Sequence, residues 1–464
     1  MQVAPRLARV IERAGAPVAV PPRVTPLRAL PGAYGPLEGV RGFLGVLLRG
    51  VAYSVEARAR YGDVYRVPFI GNPMVVVWDA DEIAKIFRNE EHVWSTAMGW
   101  DALMFEKLDP RKGNIGTLLS LDFEEHRVAR KLVQPGFTLK AIEGYLAVAG
   151  RAFDTAIGRW LARGEVDFKP AIRKLLADVA LEIFTGLDDR DEIALVDRAL
   201  SDFWGGMMSI ARNPIVSPTF RRAQRGLETL IRRFLALVPV RRRGSGTDLF
   251  SRMCQAEDED GLGDEAMVRV FITVMFGAFD TTSAAMTSMA YLLARSPEWQ
   301  GRLREEALAH PSPDARKLLQ QTEWAWKETL RLMPVSSFIP RRALRDTTIA
   351  GYPIEAGTMI GPMNGAIGRH PRWWSSPETF DPARFSPERA EDKRHAVAYS
   401  PFGAGVHACV GMQLANMEAK LFWQKLLPRC SFALRRDYEA KHVHTPMGSV
   451  SGNVALMLHR SSCR

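Results

Sequence analysis

One cysteine in a glycine-punctuated loop constrains this chain more than any other feature. The stretch is Phe402-Gly-Ala-Gly-Val-His-Ala-Cys409-Val-Gly411. Gly403 and Gly405 permit tight turns and let the backbone approach a flat partner closely. Gly411 leaves room beside the sulfur, where backbone N–H groups could hydrogen-bond a thiolate. Phe402 could shield that sulfur from water. Met412 to Lys425 has helical periodicity, and the positive end of such a helix favours an anionic ligand. A thiolate held this way can ligate haem iron and push electron density onto it, which favours cleavage of a bound O–O bond. The plainer alternative is a free cysteine acting as a small buried hydrophobe, so the rest of the chain has to decide.

Composition narrows the class. The 464 residues are 47% hydrophobic and 25% charged, enough for a large core and a soluble surface. Length alone allows two or three domains. The four cysteines, 254, 409, 430 and 463, show no paired spacing, and a chain of this size needs no disulfide staples. A reducing, cytoplasmic setting fits. The net charge of +10 comes mostly from arginine. Arg241-Arg242-Arg243 is the densest basic run, but Gly-Ser-Gly follows and no aromatic residues interleave, so nucleic acid is not an expected partner. The first 16 residues carry Arg6, Arg9 and Arg13 among Leu7, Val10 and Ile11. Three readings stay open there: a weak peripheral membrane contact, a transit peptide, or a frayed terminus.

Local pattern then sets the organisation. Residues 1–36 form a proline-rich lead-in, and residues 37–464 read as a mainly helical body with a small β portion near each end. Ala52 to Tyr61 is helix-like. Val64–Val67 and Met74–Trp78 read as strands around Gly71-Asn72-Pro73, and Asp79 is a plausible N-cap for the helix that follows. Residues 122–333 are mostly helical. Phe271 to Ala294 is long enough to span a bilayer, but Asp280 and several hydroxyls make it polar for that role. A long helix through the middle of a soluble protein is the better reading.

Three further clusters carry chemistry. Gly277-Ala-Phe-Asp280-Thr281-Thr282 puts an acid beside a hydroxyl in the middle of that helix, where the pair can relay protons to bound dioxygen; Gly277 and Ala278 leave space for oxygen and substrate. A local hydroxyl-to-backbone bond is the ordinary use of such a threonine. Glu328 and Arg331 share one helix face at i, i+3. His126 and Arg130 lie one turn apart, and an arginine fork suits carboxylates.

Together, in this order, these residues resemble the cytochrome P-450 family. Residues 402–411 are similar to its haem-ligand signature, Phe-x-x-Gly-x-x-x-Cys-x-Gly. The Asp280-Thr281 segment resembles its oxygen-binding element, with Ala278 replacing the commoner glycine. Glu328, Arg331 and the later Arg384, within Phe380-Asp-Pro-Ala-Arg384-Phe385, resemble its structural charge triad. His126 and Arg130 resemble its C-helix element, Arg341 its strand arginine, and His407 a further propionate partner. The resemblance spans about residues 36–464 and implies the cytochrome P-450 fold, mainly α with small β portions, as a single large domain. Heme b (iron protoporphyrin IX) is the implied cofactor. Cys409 would be its axial ligand, Phe402, Gly403 and Gly411 would flank it, and His126, Arg130, Arg341 and His407 would hold the propionates.

The activity so implied is a haem-thiolate monooxygenase that inserts one atom of dioxygen into a lipophilic small molecule such as a terpenoid, steroid or fatty acid. Electrons would come from an external ferredoxin or flavodoxin with its reductase, drawn to a basic face bearing Arg127 and Lys131. Family analogy puts Phe276, Gly277, Phe279, Val335, Phe338 and Val450 at the substrate pocket, along with Phe203-Trp204 and Met207-Met208. The rivals are a peroxide-driven enzyme, whose relatives usually lack the acid–alcohol pair, and a non-catalytic haem carrier. A zinc site at Cys409 with His407 and His395 is weaker, for want of a second nearby cysteine.

Overall fold

The computed structural model describes residues 30–32, 36–69, 72–101, 108–109, 116–207, 209, 213–256, 262–443 and 448–460. The arginine-bearing first 16 residues, most of the proline-rich lead-in, Met208 and the Phe279 side chain lie outside that set.

The chain enters through α1 (Pro36–Tyr61), which starts well before the expected Ala52 and kinks at Gly50, where φ is +52°. A hairpin follows, β1 (Val64–Phe69) and β2 (Asn72–Val77), paired antiparallel from Val64↔Val77 to Phe69↔Asn72. Asp79 caps α2 (Ala80–Arg88) by accepting the Glu82 N–H at 3.0 Å, and Asn89 ends it in the left-handed conformation. The short β3 (Trp94–Ser95) leads into α3 (Thr96–Trp100), and the next described α-helix is α4 (Phe123–Val133).

The helical body consists of α5 (Leu139–Arg163), α6 (Phe168–Thr185, after the short β4, Glu165–Asp167), α7 (Arg190–Met207), α8 (Pro218–Arg243) and α9 (Leu249–Gln255). The long α10 (Asp264–Ala294) runs through it, followed by α11 (Pro297–Ala309) and α12 (Gln320–Leu332). Of the described helices, α10 alone is long and apolar enough to cross a membrane, and 82% of its most apolar window is buried inside the protein. Its hydroxyls avoid exposing polar atoms by bonding back one turn: Thr273, Thr287 and Ser288 donate to the carbonyls of Arg269, Ser283 and Ala284.

The strands β5 (Arg341–Ala343), β6 (Thr347–Ile349), β7 (Tyr352–Ile354) and β8 (Met359–Pro362) precede an irregular stretch that ends at the cysteine loop. Then come α13 (Met412–Leu426), β9 (Cys430–Leu434), β10 (His442–Val443), β11 (Ser449–Val450) and β12 (Ala455–Arg460). The two β portions expected near opposite ends of the chain are not separate. Strands of both share one five-stranded sheet ordered β1-β2-β8-β5-β3, with β2 parallel to β8 through Met74↔Met359 to Val77↔Pro362, while β4-β12-β9, β6-β7 and β10-β11 form smaller sheets. Alternation divides the sheet's residues between two apolar layers. Val64, Val75, Val77 and Ile360 face one cluster, whereas Tyr65, Val67, Met74, Val76 and Met359 face the other. The sheet thereby fixes β5, and Arg341 with it, against α3.

Candidate active site

Four elements converge on Cys409: the glycine loop, α4, β5 and the start of α13. The loop turns tightly because Gly403 and Gly405 adopt φ of +71° and +68°. Neither tolerates a side chain. A β-carbon at Gly405 would lie 2.2 Å from the Phe87 carbonyl oxygen, and one at Gly403 would lie 2.7 Å from Ile339. The Cys409 N–H donates to the Phe402 carbonyl at 2.9 Å, closing the loop. Phe402 itself is half-buried and packs against the main core.

The Cys409 side chain has an exposed face but is closely surrounded by protein on its other sides, and this desolvation raises its thiol pKa. Three features oppose the rise by favouring the thiolate: the backbone N–H groups of Gly411 and Met412, and the Arg130 guanidinium. Gly411 does not act by leaving room. Its added β-carbon would sit at an ordinary 3.9 Å from the sulfur, so the N–H is its contribution.

Around this thiol lies a cluster of bases. His126, on the inner face of α4, is 3% exposed, and its ring stacks on His407 with centroids 3.8 Å apart. Burial first, and then the charges of Arg130 and Arg341, push the His126 pKa down to about 4. The same causes, with His126 added, hold His407 well below its ordinary value. Both rings are therefore neutral at pH 7. Arg341 is also 3% exposed; its guanidinium bonds the Pro340 carbonyl at 3.0 Å, and burial pulls its pKa down to about 10. Arg130 donates to the carbonyls of Ala408 (2.6 Å) and Val406 (3.1 Å), so it clamps α4 to the cysteine loop rather than standing free.

Asp122 is the acid that works most directly on this cluster. It takes the Ser95 hydroxyl and the N–H groups of Thr96 (2.8 Å) and Ala97 (3.2 Å), tying the start of α3 to the start of α4, and it offsets part of the Arg341 charge. One buried and one half-buried guanidinium with two imidazoles beside an accessible thiol make a donor set suited to a flat group with carboxylates on one edge and a metal at its centre. The residues present fit haem.

On α10, Asp280 is 8% exposed and ion-paired to Arg173 of α6, Nε to Oδ1 at 2.7 Å. Burial raises its pKa, with Arg173 opposing and Asp197 adding to the rise. Thr281 is half-buried and donates its hydroxyl to the Gly277 carbonyl at 2.7 Å, which leaves its oxygen able to accept. Gly277 is exposed, and an added β-carbon there would meet nothing within 4 Å.

The other apolar residues chosen from sequence differ in depth, Phe276 and Val450 being buried and Val335 and Phe338 half-buried. Phe276 is 5% exposed and packs its ring on Trp204 (4.3 Å) and Phe203 (6.1 Å). Val450 is fully buried, Val335 packs against the main core, and Phe338 joins the apolar layer beneath β1 and β2. Phe276 on α10 and Val450 on β11 thus contribute to the core, whereas Val335 and Phe338 keep part of their surface open. His395 bonds Asp81 at 3.2 Å, away from any zinc role, and no group of three metal-binding side chains occurs among the described residues. Arg127 is engaged with Glu124 and is not a free point of a basic face.

Glu328, Arg331 and Arg384 are at most 1% exposed and interlock. Arg331 grips Glu328 at 2.6 and 2.8 Å, and Arg384 reaches it at 3.1 Å. A fourth member, Glu391, lies 3.3 Å from Arg384 and receives the Ser375 N–H at 2.9 Å.

A profile described as Cytochrome P-450 matches residues 49–458. The chain belongs to the cytochrome P-450 family. It is 34% identical over 342 residues to cytochrome P-450 136 of Mycobacterium tuberculosis, covering 71% of this chain and 70% of that one. It is 30% identical over 334 residues to cyclooctat-9-en-7-ol 5-monooxygenase of Streptomyces melanosporofaciens, covering 68% and 72%. Among solved structures, the retinoic acid bound cyanobacterial CYP120A1 shares 22% identity and superposes with a TM-score of 0.82 over 94% of this chain and 100% of that one, which shows the fold. This P-450 is thus an oxidoreductase of the haem-iron-dependent monooxygenase type.

Proposed function

We propose that residues 37–464 act as one haem-thiolate monooxygenase domain that hydroxylates a lipophilic, terpenoid-like substrate with electrons from a separate acidic redox protein. The observation that carries this is the Cys409 thiol, accessible on one side and backed by the N–H groups of Gly411 and Met412 and by Arg130. Cys409 would be the axial ligand, with the dipole of α13 favouring its anionic form. Arg341, His126, His407 and Arg130 would receive the haem carboxylates. The haem, when bound, supplies the activation of dioxygen.

The chain's own residues bind, orient and move protons. Asp280, partly freed from Arg173, would carry protons inward from the side of α6, and the Thr281 oxygen would accept and pass them beside the exposed Gly277. That route supports a dioxygen-dependent reaction over a peroxide-driven one, which needs no such delivery. The terpenoid assignment rests on relatives: besides the cyclooctatenol enzyme, an ent-kaurenoic acid oxidase of Arabidopsis thaliana is 25% identical over 394 residues. The apolar surroundings at Val335 and Trp204 agree with it.

The deciding experiment is the reduced, carbon-monoxide-bound difference spectrum. Wild type should give the strongly red-shifted Soret band of thiolate ligation, and Cys409→Ser should abolish it. A variant that kept the band would exclude Cys409 as ligand.

A further inference from the structure

The half of α1 before the kink at Gly50 is turned the opposite way from an ordinary surface helix. Such a helix packs its large apolar side chains inward and shows polar ones to water. Here the inward positions are glycines. Gly42 and Gly45 lie so close to Tyr53, beyond the kink, that a β-carbon would fall 3.3 Å from its hydroxyl oxygen and 2.4 Å from its ring. The large residues face out. Leu37, Val40, Leu44 and Leu48 are 86%, 59%, 43% and 65% exposed, and their i, i+3, i+7 and i+11 spacing puts them in one stripe. A single exposed leucine is ordinary, but four along one helix face mark a contact surface.

Charge says what kind of surface. Arg41 is exposed beside the stripe, where its stem can lie along apolar groups with its head in a polar layer. The residues before α1 bring Arg6, Arg9, Arg13, Arg23 and Arg28 against one acid, Glu12. A bilayer containing anionic lipid suits both features, since its acyl region takes the aliphatic side chains and its headgroups take the bases. A second copy of this chain suits them less. Four side chains offer a few hundred Å², short of the roughly 800 Å² per partner of a stable protein interface. A two-fold pairing would also bring two basic lead-ins together.

We propose that the stripe from Leu37 to Leu48 docks α1 on an anionic lipid bilayer, with its aliphatic side chains among the upper acyl chains and Arg41 at the headgroups. The contact is independent of the haem-thiolate reading.

The test is sedimentation of the purified full-length protein with sucrose-loaded vesicles, made of phosphatidylcholine alone or with an equal part of phosphatidylglycerol. Wild type should bind the mixed vesicles and bind phosphatidylcholine at least tenfold more weakly. Leu44→Ser with Leu48→Ser should weaken binding to the mixed vesicles about tenfold or more, as expected when two leucines are withheld from an apolar phase. Leu308→Ser with Leu318→Ser removes two comparably exposed leucines, 55% and 53%, from another part of the surface and should change nothing. Arg41→Gln should cost about fivefold, the share of one base at an anionic surface. Absence of wild-type binding, equal binding to both kinds of vesicle, or equal losses from the two leucine pairs would overturn the proposal. So would a wild-type dimer in sedimentation velocity that the Leu44 and Leu48 changes dissolve, because the stripe would then be a protein interface. If that double variant does not fold, Arg41→Gln carries the test, and an unchanged affinity for mixed vesicles overturns the proposal.

Discussion

Two clusters of bases, one around Arg331 and Arg384 and one around Arg341 and Arg130, are built on opposite plans. At Glu328, Arg331, Arg384 and Glu391 two bases meet two acids, and the remaining guanidinium hydrogens are spent on carbonyls: Gly368 (2.5 Å) and Pro377 (2.7 Å) for Arg331, Ser375 (2.5 Å) and Thr379 (3.1 Å) for Arg384. At Arg341, Arg130, His126 and His407 the bases outnumber the acid, and the two guanidiniums lower the pKa of both imidazoles. The first network is complete within the protein and locks the irregular stretch between β8 and the loop. The second carries an excess of base that an anion would offset. Burial of an arginine therefore says nothing by itself about its role; the charge count around it does.

Breaking the closed network should have the largest effect. Glu328→Gln keeps the shape but strands the buried Arg331 and leaves Arg384 with Glu391 alone, at a cost of roughly 3–5 kcal/mol. Urea unfolding followed by circular dichroism should show that loss whether or not haem is added. Arg341→Gln should behave differently. Its penalty should rise with added haem to about 1.4 kcal/mol, the linkage equivalent of a tenfold weaker haem affinity. If the Arg341 penalty ignored haem, or the Glu328 penalty followed it, the contrast between the two networks would fail.

The closed network also shows what a sequence can and cannot disclose. Glu328 and Arg331 are legible because i, i+3 spacing puts them on one helix face, and Arg384 because its Phe-Asp-Pro setting resembles a family element. Glu391 is not legible, since nothing around it separates a buried glutamate from a surface one. Arg173 escaped for a similar reason: it lies 107 residues from Asp280, and no local period encodes a contact between two helices. The β1–β2 hairpin could be read from its turn residues, whereas its parallel pairing with β8 depends on packing far away in sequence. The apolar pocket residues are not separable from core by sequence, because a core and a lipophilic pocket use the same side chains. The cysteine loop was readable because its glycines answer to backbone geometry that only they satisfy, as Gly405 shows against Phe87.

A smaller effect should appear in the catalytic cycle. Thr281→Ala should leave haem binding and the carbon-monoxide band intact but divert a large share of consumed electrons to hydrogen peroxide, measured as product formed per reduced cofactor oxidised. Unchanged coupling would remove Thr281 from the proton route. Arg173→Gln should act on the same route from outside, by releasing Asp280, and so change the solvent isotope effect without altering coupling as much.

Glu418 sharpens the comparison furthest, because it is a buried acid given no base. It lies on α13, 7% exposed, and among the described residues no cation pairs with it; burial alone raises its pKa to about 8. Glu328, equally buried, has two arginines. Since the folded pKa of Glu418 stands above that of the unfolded chain, the native state holds a proton that the unfolded state has lost between about pH 4.5 and 8. Its contribution to stability is therefore intact below that window and lost as pH rises through it. Glu418→Gln removes the titration. The variant should match wild type near pH 5 and exceed it by about 1 kcal/mol or more at pH 8, in thermal unfolding under saturating haem. Parallel pH profiles for the two proteins would mean that the carboxylate is solvated or paired after all, and that the rule separating closed from open charge networks does not extend to α13.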